Sequence, residues 1–131
     1  MKFMVLMYAD PATTAAMTPT ERAEVFARHE ALHQDLQATG EMLNGAGLAF
    51  PTDTTTLRWQ PDAAPTATDG PFAKATEHVT AYYVVECENA ERAKELATRV
   101  LDFHVVAVEV RPIHDWFGMG AAPAAGAAAE A

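Results

Sequence analysis

The sequence predicts an α+β domain of the order βαββαβ, with an extra β-hairpin in its middle, an antiparallel sheet, and both helices on one sheet face. Three features predict it. The succession strand–helix–strand occurs twice along the chain. The first helix opens on a complete start signal, Thr18-Pro19-Thr20-Glu21, with Thr as N-cap, Pro at the first helical position and Glu closing a capping box. The strands Phe3–Tyr8 and Val79–Cys87 are apolar on both faces, whereas two helices cover only one face of a four-stranded sheet.

Phe3–Tyr8 is short, apolar and closed by Asp10-Pro11, which ends a strand. In the helix that follows, Val25, Leu32 and Leu36 form an apolar stripe with Phe26 beside it, and Gly40 is placed to terminate it. Glu41–Ala49 is a glycine-interrupted strand. Thr55, Leu57 and Trp59 alternate with Thr56, Arg58 and Gln60, and Thr66–Thr68 is the returning arm of a hairpin. Asp69-Gly70-Pro71-Phe72 forms a tight turn: Asp bonds the backbone, Gly permits positive φ, Pro fixes the next φ, and Phe re-enters the core. Val79–Cys87 is rich in β-branched and aromatic residues. Asn89 caps a helix whose inner face is Ala93, Leu96, Ala97, Val100 and Leu101. In the last strand, Val105–Val110, Val106, Val108 and Val110 face one way, and Glu109 and Arg111 the other. His114-Asp115-Trp116 is an exit turn. Residues 1–116 are expected to form one domain, and residues 117–131, nearly all Ala, Gly and Pro, a flexible tail.

A chain of 131 residues, 50% hydrophobic and 21% charged, builds one core without staples. The formal charge of −9 disfavours nucleic acid and anionic membranes as partners. Cys87 is the single cysteine, so no intrachain disulfide forms, which suits a reducing, cytoplasmic setting. The apolar start is too short for a secretory leader and lacks a cleavage site, and no segment is long enough to span a bilayer. The uncovered apolar sheet face calls for a second copy of the chain, sheet on sheet, so a homodimer is expected.

Several local patterns occur together. They are Tyr8-Ala9-Asp10, the Gly-x-x-x-x-Gly-x-Gly-Leu pattern of Gly40–Leu48, and Thr56-Leu57-Arg58. Downstream come Thr68-Asp69-Gly70-Pro71-Phe72-Ala73 ahead of Glu77-His78, and Val108-Glu109-Val110-Arg111-Pro112. In this order they resemble the YCII-related family, in its DGPF branch, from Met1 to about residue 114. The resemblance implies a ferredoxin-like fold and a dimer related to the dimeric α/β-barrel proteins. Enzymes of that wider group act on small, often aromatic-derived molecules, and some DGPF-type members sit beside or within extracytoplasmic-function sigma factors. The stretch Ala73-Lys74-Ala75-Thr76-Glu77 departs from the family's usual Ala-Glu-Thr-Lys-Glu, so roles resting on the acid replaced by Lys74 and the lysine replaced by Thr76 do not carry over, while Glu77 keeps its place.

His29 is the most informative polar residue. At about 100° per residue it falls in the middle of the Val25/Leu32/Leu36 stripe, facing the sheet or a pocket beside it. The resemblance implies a histidine at this place that pairs with an acid in general acid/base work. The alternative is a core histidine bonded to a backbone carbonyl. Asp10 is the candidate acid; its alternative is a turn aspartate capping Pro11-Ala12. His29-Glu30-Ala31-Leu32-His33 also matches H-E-x-x-H, which places two imidazoles on one helix face, but a zinc site needs a third ligand and a cleft, and no metal or cofactor is expected. Asp69 and Phe72 of the turn, with Arg58, His78 and Tyr82, are candidate ligand contacts if they face the same cavity; each also fits an ordinary turn or strand position.

Two functions follow. In the first, His29 and Asp10 form an acid/base pair for isomerisation or elimination on a small organic ligand. In the second, the chain is a non-catalytic dimeric module that senses a ligand or contacts a regulator, such as an extracytoplasmic-function sigma factor. The distance between His29 and Asp10 separates them.

Overall fold

The computed structural model describes residues 1–117; the expected tail lies outside them from residue 118 on. The elements are β1 (Lys2–Ala9), α1 (Pro11–Ala15), α2 (Pro19–Thr39), β2 (Met42–Gly47), β3 (Thr55–Arg58), β4 (Thr66–Asp69), β5 (His78–Glu86), α3 (Ala90–Thr98) and β6 (Val105–Pro112). β2, β5, β1 and β6 form a four-stranded sheet in that order, and β3 and β4 form a separate two-stranded ribbon. The pairings of the larger sheet are antiparallel. This is a ferredoxin-like α+β fold with an inserted hairpin, as the sequence predicts.

The local signals act as read. Thr18 accepts the Glu21 N–H at 3.1 Å while the Glu21 carboxylate accepts the Thr18 N–H at 2.9 Å. Gly40 ends α2 at φ 75°, a conformation that side chains bearing Cβ rarely adopt. The Asn89 side chain caps α3 by accepting the Arg92 N–H. α1 and a short 3₁₀ turn at Pro51–Asp53 are additions to the expected elements.

Alternation sorts β1 into two faces. Phe3, Val5, Met7 and Ala9 are buried beneath the helices, and Met4, Leu6 and Tyr8 are half-buried on the other side. Tyr83 and Val85 of β5 meet Val5 and Phe3 in register and join Leu32, Leu36, Ala93, Leu96, Ala97 and Val100 in one core. On the opposite face Leu6 pairs with Tyr82 and Met4 with Val84. A two-pronged ion pair from Arg92 to Glu41, 2.9 and 3.0 Å, ties the end of α2 to α3. It holds the Glu41 carboxyl below the usual carboxylate range.

Three expectations need correction. Phe72 does not re-enter the core. It is 68% exposed, because the turn that carries it belongs to the ribbon and not to the main sheet, and the Arg58 guanidinium lies over its ring at 4.8 Å. Val106 does not share a face with Val108 and Val110. A register shift near the start of β6 leaves it exposed and buries Val105 in its place. Leu101 lies past the end of α3 and is partly exposed rather than on the inner face.

Candidate functional site

A cavity of about 660 Å³ lies between the first half of α2 and the β2–β5 side of the sheet. Its origin is visible in the sequence. Leu32 and Leu36 bury against the sheet and anchor the second half of α2. Ahead of them, the helix meets Gly45, Ala46 and Gly47 of β2, which have too little bulk to fill the space. Met17, Val25, Phe26 and Ala81 provide apolar walls, and Arg22, His29, His33 and Tyr83 the polar groups. This size and lining suit a small organic ligand.

Tyr83 organises the polar side. Its hydroxyl lies 2.6 Å from His29 Nδ1. Its ring meets that of His33 edge-on, with centroids 5.2 Å apart, and that of His29 at 5.9 Å. Gly45 makes this possible: a Cβ there would stand 2.5 Å from Tyr83 Cδ1 and 2.8 Å from the Tyr82 carbonyl oxygen. Burial lowers the His29 pKa from its ordinary 6.5, a shift opposed by the Asp102 charge and assisted by His104, Arg28 and His33. Burial also raises the Tyr83 pKa. Near neutral pH the pair is therefore an uncharged imidazole and a protonated phenol. The phenol has no other hydrogen-bond partner among the described residues, so its proton is assigned to Nδ1, which leaves Nε2–H unpaired.

Asp102 and His104 lie behind this site. Asp102 Oδ1 accepts the N–H groups of His104 and Val105 and the His104 ring Nδ1–H, at 2.7, 2.6 and 2.8 Å. Its second oxygen accepts from Arg28 of α2. Burial alone would raise the Asp102 carboxyl, but these bonds outweigh it and hold its pKa low.

The predicted site residues separate. Asp10 does not reach His29. Pro11 starts α1 directly after β1, and the Asp10 carboxylate is taken up as its N-cap, accepting the Ala12 N–H at 2.9 Å; the capping alternative holds. His29 and His33 share the cavity, but among the described residues no three His, Cys, Asp or Glu side chains converge as a metal site. Tyr82 lies on the opposite sheet face, in register with Leu6. Arg58, Asp69 and Phe72 belong to the ribbon and its turn. His78 starts β5 and borders two smaller hollows, about 250 and 340 Å³, beside Leu48–Pro51.

Tyr83, Gly45 and Arg22 were not among the candidates. The signal for Tyr83 is parity: it shares odd numbering with Ala81 and Val85, which face the core from β5.

Among the described residues no helix is long and apolar enough to cross a membrane. No curated protein matches the chain. The family model of the YCII-related domain matches residues 1–117, every described residue, and the chain belongs to the YCII-related family.

Proposed function

We propose that the cavity under α2 is a small-molecule site in which His29, backed by Tyr83, transfers protons to and from a bound organic ligand. One observation carries this reading: the histidine at the centre of the α2 stripe is neither sealed nor bonded to backbone, but held by a phenol at the wall of an apolar cavity. A neutral imidazole in such a place polarises a ligand oxygen through Nε2–H. It also serves as a base when the Tyr83 hydroxyl turns and accepts from Nδ1–H, because a hydroxyl both donates and accepts. A carboxylate partner such as Asp10 would allow only the second arrangement. Isomerisation or elimination on a small molecule needs no further group.

The Asp69-Gly70-Pro71-Phe72 turn, with Gly70 at φ 99°, supports placing the chain in the DGPF branch. A second copy covering the half-buried Met4, Leu6 and Tyr82 completes the fold.

A thermal-shift screen against small aromatic and aliphatic acids and their neutral analogues, on wild type and His29→Ala, tests the site. Stabilisation of the wild type that falls in His29→Ala is expected. Stabilisation indifferent to the substitution removes His29 from the site.

A further inference from the structure

The cavity differs in charge from the rest of the chain. The protein carries 18 acidic side chains against 9 Lys and Arg, yet no Asp or Glu lines the cavity, and its one permanently charged lining group is Arg22. Arg28, Arg92 and Arg99 each pair with a carboxylate. Arg22 has no such partner among the described residues; its one hydrogen bond is a long 3.5 Å contact to the Thr14 carbonyl. A guanidinium has five N–H donors, so most of its capacity is unused.

Spacing on α2 puts this capacity to one side of the reacting group. Arg22, Phe26, His29 and His33 recur at helical intervals of four, three and four, along one face. Arg22 and His29 stand about 10 Å apart along the axis, with the Arg22 guanidinium directed toward the Thr14 carbonyl. Phe26 and Val25 wall the space between them. A cation at one end, apolar walls and no acid describe a receptor for an amphipathic anion.

We propose that the cavity takes a small carboxylate with an aromatic or branched aliphatic body, its carboxylate paired with Arg22 and its apolar part against Phe26 and Val25. This deepens the reading of the cavity as a small-molecule site and rests on it. Arg22 is then the residue that sets specificity, and His29 meets the ligand's other end.

Phenylacetate and its neutral analogue phenylacetamide are the probes, titrated calorimetrically into the full chain. Wild type is expected to bind the carboxylate about two- to fivefold more tightly than the amide, the range for an ion pair at an exposed side chain. Arg22→Gln should abolish that preference without weakening the amide, and Arg22→Lys should retain part of it. Arg22 is exposed, so these variants fold. Gly47→Leu, built where an added Cβ meets nothing within 4 Å, fills the cavity and should weaken both probes. Equal binding of both probes to wild type, or a preference that survives Arg22→Gln, overturns the proposal. If equal binding is also lost in Gly47→Leu, the cavity remains a ligand site without anion selectivity. Binding of neither probe at millimolar concentration overturns both readings.

Discussion

The Tyr83 hydroxyl and His29 Nδ1 lie 2.6 Å apart, a bond that joins β5 to α2 across 54 residues of chain. Tyr83→Phe keeps the ring that packs on His33 and removes only this bond. The expected loss of stability is about 0.5–1.5 kcal/mol, measured by urea unfolding. The His29 ring should lose its fixed orientation, seen as averaged ring signals by NMR. An unchanged ring environment would show that packing alone orients His29.

Gly45 is the second support of that geometry. Gly45→Ala drives a methyl into the Tyr83 ring and the Tyr82 carbonyl, and overpacking of this kind costs about 1–3 kcal/mol. Gly47, two residues along the same strand, has nothing within 4 Å of an added Cβ, so Gly47→Ala should stay within about 0.5 kcal/mol of wild type. Equal effects at the two glycines would contradict the role given to Gly45.

Asp102 is a structural counterpart to the site. Asp102→Ala leaves the His104 and Val105 N–H groups without their acceptor and releases Arg28. A loss of about 3 kcal/mol is expected in equilibrium unfolding. Because the folded state holds this carboxyl below its ordinary 3.8, its contribution is present above that value. It is lost as pH falls through the lower, folded value.

The outer sheet face gives a prediction about assembly. Leu6 and Tyr82 pair at its centre and are half-buried in the single chain. Sedimentation velocity at micromolar concentration should show a dimer, and Leu6→Arg, a charge in the middle of that face, should give a folded monomer. A monodisperse wild-type monomer would remove the second copy.

Most of the fold was legible because each element carried a local signal: the Thr18/Glu21 capping box, Gly40, the Asn89 cap and the apolar alternation of β1 and β5. The errors fell where a local pattern depends on its tertiary neighbour. Phe72 was expected in the core because an apolar residue after a turn usually returns there, yet its ribbon stands apart from the sheet. Val106 was misplaced because a register shift changes parity without leaving a mark in the composition. At the site, helical periodicity placed His29 correctly. Its partner was misjudged because Asp10 is near in topology but is held by a helix start, whereas Tyr83 is identified only once the core-facing parity of β5 is known.

The ionisation of His29 tests the central claim most directly. Burial should hold its ring neutral, with a titration midpoint below 6.5. The folded state then binds fewer protons than the unfolded chain, so stability rises with pH from the folded midpoint up to about 6.5. Histidine-resolved NMR titration of the full chain, free and saturated with phenylacetate, measures this. The expected result is a low midpoint that moves further down when the apolar body of the bound ligand displaces water from the ring; a midpoint at or above 6.5 that ignores the ligand would contradict a buried acid/base histidine at a ligand site.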